Sequence, residues 1–364
     1  MFAGVGFATR WRLSILHPRP PETRVTVHEL PATMRALVIT AHGGPEVLRL
    51  EQRLIPTPAP AEVLVRVHGS AMNRADVLQR QGRYPAPAGA PPDIPGLEIA
   101  GTVVRRGRDA HRWAEGARVF GLVAGGGHAD FVVIHEAVLS PIPDALDWTD
   151  ASAVPEAFMT ANDAFDQAGI VADEAVLIHA VASGVGLAAV QLARARGAVA
   201  LGTSRSTAKM ARARALGMRD GYDASAGVDG LADWARSCTD GKGVDVALDL
   251  VGGPYVRPTI DALARHGRLI LIGTVAGGEA TIPLHVVLQK RIMIRGTVLR
   301  SRALDERIRN ARTFTSVVVP LLESRAVQPV VDAVFPLERA ADAHRLVEAN
   351  TTVGKVVIRM TSDP

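Results

Sequence analysis

The sequence predicts an α/β fold in which a barrel-like group of short strands is joined to a doubly wound parallel sheet. Between Met34 and about Glu156, short apolar runs are broken every few residues by Gly and Pro, as in a small domain of closely spaced strands. From Val171 to about Val298 the rhythm becomes strand–helix–strand with near-continuous apolar strands, which marks a parallel sheet buried on both faces. Within that second region, the apolar run Ala175–Ile178 leads through Gly184-Val185-Gly186 into a helical pattern over Leu187–Arg196. Gly184, Gly186 and Ala189 satisfy G-x-G-x-x-A: Gly184 is expected to allow a tight turn, Gly186 the approach of backbone N–H groups to a pyrophosphate, and Ala189 close helix–strand packing. The helix N-terminus, opened by Ser183, would then favour phosphate through its unpaired N–H groups and dipole.

Composition narrows the class. At 364 residues two domains are expected, and 48% hydrophobic against 21% charged residues describes a globular chain. The sequence pI is near 9.6, yet the formal net charge is only +4 and aromatics make up 4%. No basic run of five appears, so the excess charge reads as a solvated surface and nucleic-acid binding is not expected. Cys238 is the single cysteine, which excludes an internal disulfide and a four-cysteine zinc site and fits a reducing, cytoplasmic setting. No apolar run approaches membrane-spanning length.

Taken in order, residues 1–33 hold four arginines and the Pro18–Pro21 knot with no clear period. They read as a leader, a disordered extension, or the product of a start codon upstream of the true one. Strands are expected at Met34–Thr40, Val63–Ser70, Glu98–Arg105, Ala117–Leu122 and Asp130–Ile134, and helices at Asn73–Arg80 and Ala151–Gln167. The parallel sheet is expected from Ala175–His179, Ala198–Thr203, Val244–Leu250, Leu269–Ile272 and Ile292–Val298. Its helices are expected at Leu187–Arg196, Ser206–Leu216, Gly230–Thr239 and Tyr255–Ala264. The tail predicts helices at Leu304–Ser324 and Arg339–Asn350, and strands near Val330–Phe335 and Lys355–Arg359.

The second parallel strand ends Leu201-Gly202-Thr203-Ser204-Arg205, without the acid that would bond an adenosine ribose diol. Ser204, Arg205 and Lys209 instead offer a hydroxyl and two cations, which points to NADPH through its 2′-phosphate; the alternative is that the two cations are solvated helix charges.

Three further stretches, Asn73-Arg74-Ala75-Asp76…Gly82-Arg83-Tyr84-Pro85, Pro95-Gly96-Leu97-Glu98 and Pro155-Glu156-Ala157-Phe158-Met159-Thr160, make the chain resemble the zinc-free quinone oxidoreductases of the medium-chain dehydrogenase/reductase superfamily. His42–Leu48 and Asn350…Gly354-Lys355 match as well, and the likeness is greatest to the tumour-suppressor-inducible branch. The resemblance implies a GroES-like β-barrel-type catalytic domain over 34–156 and 300–364, a Rossmann NADP-binding domain over 157–299, and a cleft between them for the cofactor. It implies a homodimer joined through the edge strand 292–298. It also implies that Asn73 bonds ribose hydroxyls, that Thr160 meets the carboxamide, and that Leu299, Asn350 and Lys355 lie along the cofactor. Val251, Gly252, Gly273 and Thr274 would line the nicotinamide half, and Tyr222 the 2′-phosphate. Tyr84 is either a substrate donor or gate, or an aromatic packed in a Pro-rich loop; Asp76 is either catalytic or a brace for its helix. Glu98 is expected to be a buried structural acid.

The zinc-dependent relatives' ligand cysteine falls at Met72 or Asn73 here, and their Gly-His-Glu reads Gly96-Leu97-Glu98. Leucine cannot bind metal, and His68, His111, His128 and His135 are not paired at ligand spacing, so no metal site is expected. The implied activity is NADPH-dependent hydride transfer to quinones. The alternatives are an enone or 2-enoyl thioester reductase, and a non-catalytic NADPH-binding sensor or RNA-contacting protein.

Overall fold

The computed structural model describes residues 30–360, and the stretch from Thr33 onward forms one compact unit. The expectations for residues 1–29 lie outside the described residues. A hairpin of β1 (Thr33–Ile39) and β2 (Leu48–Leu54) opens the fold. It is followed by β3 (Glu62–Ala71), α1 (Arg74–Arg80), β4 (Glu98–Arg106), β5 (Arg118–Leu122), β6 (Phe131–His135) and β7 (Leu139–Pro141). Strand β3 is the hub. One edge carries β4; on the other, residues 62–66 pair with β6 and residues 69–71 with β15 (Lys355–Arg359). The C-terminal strands β14 (Val331–Pro336) and β15 thus return to the first sheet, whose order is β14-β15-β3-β4-β5-β7.

The second sheet has the order β10-β9-β8-β11-β12-β13, all parallel. Its strands are β8 (Ala175–Ile178), β9 (Val199–Ser204), β10 (Asp220–Asp223), β11 (Val244–Asp249), β12 (Leu263–Leu271) and β13 (Met293–Gly296). Chain order reverses between β8 and β11, so the crevice beyond their carboxyl ends is the ligand position in such sheets. Strand β8 is central and fully buried, which is why its four residues are all apolar. The connecting helices are α4 (Gly184–Ala195), α5 (Thr207–Ala215), α6 (Leu231–Ser237), α7 (Val256–Ala262) and α8 (Leu284–Lys290). Helix α3 (Pro155–Ala168) packs against β5 of the first sheet and β12 of the second, α2 (Trp148–Ser152) and α10 (Ala340–Glu348) lie on the first sheet, and α9 (Leu304–Glu323) packs on β7 and α3. Phe158 and Phe165 of α3 share a core with Ile178, Leu187 and Phe314.

Several expectations are corrected. The single helix over Ala151–Gln167 is two, because Pro155 cannot continue α2 but suits the first turn of α3. Helix α4 starts at Gly184, with the Ser183 hydroxyl accepting the Gly186 N–H at 3.0 Å, so Gly184 and Gly186 are helical. The left-handed residue of that turn is Ala180, at φ 48°. Gly184 is needed for room: a Cβ there would lie 2.5 Å from Lys355 Cδ, and one on Gly186 2.6 Å from the Val181 carbonyl. Strand β12 starts six residues earlier than Leu269 and β13 is shorter than Ile292–Val298, while β2, β10 and α8 lacked a distinct enough period. Among the described residues no helix is long and apolar enough to cross a membrane.

Among the described residues three imidazoles are fully buried. His179 lies between the Thr203 and Thr259 hydroxyls, at 3.0 and 2.7 Å, whereas neither ring nitrogen of His128 or His344 has a partner. Burial holds all three below the usual 6.5, His344 furthest, with His128 and Arg80 adding to its shift. The unfolded chain therefore takes up these protons first. Stability is complete above pH ~6.5 and falls as pH drops below it, by about 1.4 kcal/mol per pH unit for each ring. Glu156, raised to about 7 by burial, works in the opposite sense and offsets one ring. The urea midpoint is expected to fall between pH ~7 and ~5.5; an unchanged midpoint would contradict this account.

Candidate active site

The loop between β3 and α1 places Asn73 at the helix N-cap, and Asp76 answers it from the first turn. Asp76 is fully buried; its Oδ2 accepts the Asn73 N–H at 2.7 Å and its Oδ1 the Gly96 N–H at 2.9 Å. Both oxygens are engaged with backbone, the arrangement of a brace for the helix. Gly96 sits at φ 99° with the His128 backbone pressed against it, a position closed to any Cβ.

Beside this brace lies Glu98, with no exposed surface. Its Oε1 meets Lys355 Nζ at 2.7 Å and the Asn73 Nδ2 at 2.9 Å, and its Oε2 accepts the Glu156 N–H at 2.8 Å. The Lys355 ammonium also donates to the Met72 carbonyl at 3.0 Å and to Asn73 Oδ1 at 2.5 Å. An ammonium has three hydrogens, and all are used within the chain. Lys355 therefore holds the floor of the site and spends its ammonium hydrogens within the chain. Asn73 spends both amide hydrogens on Glu98 and the Ala71 carbonyl, leaving a lone pair on Oδ1.

Above this floor stand three side chains from different elements. Tyr84 is half-buried under the Arg300 guanidinium, which lies 5.0 Å from its ring centroid. Arg300 is fixed by the Ala124 carbonyl and Gln79 Oε1, both at 2.7 Å. Burial raises the Tyr84 phenol, with Arg300 opposing and Glu156 reinforcing. Glu156, in the first turn of α3, is pushed up to about 7, first by burial and then by the charge of Glu98, against Lys355. One turn further along α3, Thr160 Oγ1 is buried with no partner.

The glycine turn adjoins this group. Ser183 bridges to Gly354, the residue before Lys355, and the Gly354 N–H donates to the Ala182 carbonyl at 2.9 Å. In the first turn of α4, Gly186 N–H goes to Ser183, while among the described residues the Gly184 and Val185 N–H groups have no acceptor. Beyond β11 and β12, Val251-Gly252 and Gly273-Thr274 lie against one another. Asp249 Oδ1 takes the Val251 and Gly252 N–H groups at 2.8 and 2.9 Å, leaving Oδ2 buried and unpartnered.

At the end of β9, Ser204 accepts the Ser206 N–H at 3.1 Å, Arg205 is exposed, and Lys209 donates to the Asn350 carbonyl. Arg74 also donates to the Asn350 side chain, and burial, with the nearby charge of Arg205 adding to it, holds its guanidinium below the usual value. Tyr222, paired across from Thr203, packs on Trp234 at 5.6 Å and joins Tyr255 near Arg205. Leu299, the residue before Arg300, lines a small crevice with Leu122, Met159 and Arg307.

The profile of the alcohol dehydrogenase GroES-like domain matches residues 59–144, and that of the zinc-binding dehydrogenase domain residues 184–316. The rat quinone oxidoreductase is 30% identical over 329 residues, 89% of this chain and 97% of its own length. The chain belongs to the quinone oxidoreductase family of the medium-chain dehydrogenase/reductases. A Pseudomonas aeruginosa quinone oxidoreductase is 31% identical over 327 residues, 89% of this chain and 99% of its own. A mycobacterial family structure solved with NADPH matches with a TM-score of 0.81 at 26% identity, covering 90% of this chain and all of that one. The chain is thus a nicotinamide-dependent oxidoreductase. The unpartnered Thr160 hydroxyl and the open N–H groups of Gly184 and Val185 are polar atoms awaiting a ligand's, and they fit such a cofactor.

Sequence reasoning missed Arg74, Glu156, Tyr255 and Arg300 as site residues. For Glu156 a signal was present, since Glu156 and Thr160 are four apart in one helical run. Arg300 joins Tyr84 only through tertiary packing.

The buried pair gives a stability test. Lys355→Met leaves Glu98 charged and unpaired, which is expected to cost about 3–5 kcal/mol in urea unfolding. Adding Glu98→Gln should recover part of that loss. A single variant as stable as the wild type would show that the pair does not hold the site.

Proposed function

We propose that the chain is an NADPH-dependent, zinc-independent quinone reductase, with a catalytic lobe (34–156 and 300–364) enclosing a Rossmann lobe (157–299). The observation that carries the NADPH assignment is the end of β9, where Arg205 stands exposed beside Ser204 and Lys209 with no acid to bond a ribose diol. Tyr222 and Tyr255 would flank the adenosine end, and Arg74 adds a third cation. Zinc independence is supported by the donor set. Leu97 is buried and apolar, and no three His, Cys, Asp or Glu side chains among the described residues are grouped to hold a metal ion.

A bound nicotinamide supplies a hydride. The N–H groups at the start of α4 would hold the pyrophosphate, Thr160 Oγ1 the carboxamide, and Asn73 Oδ1 a ribose hydroxyl. Val251, Gly252, Gly273 and Thr274 would wall the ring at the carboxyl ends of β11 and β12. Tyr84 and Arg300 would cover the acceptor and exclude water. Without a Lewis acid, the acceptor must already be electron-poor, as a quinone is, and orientation is the protein's main contribution.

Loss of NADPH absorbance with phenanthrenequinone, para-benzoquinone and an enone, each with a chelator present, tests this reading. Quinone turnover is expected, whereas turnover of the enone alone would favour the enone reductase alternative. In the Arg205→Ala, Lys209→Ala double variant the KM for NADPH should rise about tenfold, with NADH and kcat little changed. Equal losses for both nucleotides would show that the two cations serve the fold.

We further propose a homodimer through β13. This strand is the outer edge of the parallel sheet, and the apolar Leu284, Leu288, Met293 and Val298 near it are exposed. Light scattering at micromolar concentration should give twice the chain mass of 38.5 kDa, and a monomeric mass would contradict the proposal.

A further inference from the structure

Among the described carboxyls of the site, Glu156 is the one with neither oxygen engaged, whereas Asp249 is held through Oδ1. Asp76 spends both oxygens on backbone N–H groups and Glu98 spends both on Lys355, Asn73 and the Glu156 backbone. By contrast, no hydrogen bond or ion pair among the described residues engages the Glu156 carboxyl, and the residue remains half-buried rather than sealed. It projects from the first turn of α3 on the face that carries Thr160 one turn later. Its neighbour Ala157 lies against Gly184, where a Cβ would come 3.7 Å from the alanine methyl, so this end of α3 abuts the start of α4.

We propose that Glu156 is the general acid that protonates the reduced acceptor, a catalytic assignment that rests on the reductase reading above. An acceptor that takes up a hydride gains two electrons and is left with a negative oxygen. The Glu156 O–H bond breaks as an O–H bond forms on that oxygen, and the electron pair stays on the carboxylate. Water then returns a proton to Glu156, so each turnover consumes one hydride and one proton. Thr160, one helical turn away, would hold the carboxamide on the face of α3 that carries this carboxyl.

The groups facing Glu156 suit a proton donor at neutral pH. Glu98 on β4 and Asp76 on α1 oppose its ionisation, while Lys355 on β15 and Arg300 after β13 favour it. Burial is the largest influence and the balance lies at about 7, where a donor gives up its proton most effectively. Tyr84 shares the space, but burial raises its phenol above the usual 10, which makes it the weaker acid.

Two measurements on the full chain decide the matter. With phenanthrenequinone, wild-type kcat should fall about tenfold per pH unit above pH ~7. Glu156→Gln should lose about a hundredfold or more below pH ~7 and show a flat profile, while Glu156→Asp, which keeps an acid, should recover part of the rate. The second measurement needs no turnover: infrared titration should show a protonated-carboxyl band that disappears near pH ~7 and is missing from Glu156→Gln. If Glu156→Gln turns over at the wild-type rate and profile, or the band persists in it unchanged, the assignment of Glu156 is overturned alone. If the wild type reduces no quinone or enone, the reductase reading falls and the assignment with it.

Discussion

The structure turns on the buried contact between Lys355 and Glu98. Neither charge reaches water to any extent, with the lysine 5% and the glutamate 0% exposed. Removing two such ions from solvent costs several kcal/mol each, and attraction between them offsets this only when their remaining hydrogens and lone pairs are also satisfied. Here they are: Met72, Asn73 and the start of α3 complete the set. The pair therefore fixes at once the loop after β3, the first residues of β4, the N-terminus of α3 and the beginning of β15. Gly184 is tied to it as well, because only a residue without a side chain leaves space for the lysine methylenes.

Charge in the site falls into two zones. Around β9 the free groups are cations, Arg205 with Arg74 and Lys209 close by, and the last two are anchored on Asn350. On the opposite side the groups are mostly carboxyls, of which Glu98 is paired with Lys355 and Asp76 is held by backbone N–H groups.

Local pattern carried much of this in the sequence. The four buried residues of β8 read directly as a central strand, whereas the burial of Glu98 was expected only through the family resemblance of Pro95-Gly96-Leu97-Glu98. The G-x-G-x-x-A pattern located the start of α4, although its glycines serve close packing and the left-handed turn belongs to Ala180. What could not be read was contact at long range. Lys355 and Asn73 stand 282 positions apart and Arg300 reaches Gln79 across 221, with nothing local to announce either meeting. The role of Asp76 stayed open for the same reason, since only the position of the Gly96 N–H shows that its second oxygen is occupied.

The return of β15 to the first sheet has a consequence for the order of biosynthesis. Residues up to β13 can pair into the parallel sheet using contacts within a stretch of about one domain, but the floor of the cleft lacks its counter-ion until Lys355 has left the ribosome. Until then Glu98 has no cation at its side, and β3 lacks its β15 neighbour on one edge along residues 69–71. The first sheet waits for β15, so closure of this very long loop follows synthesis of the whole parallel sheet.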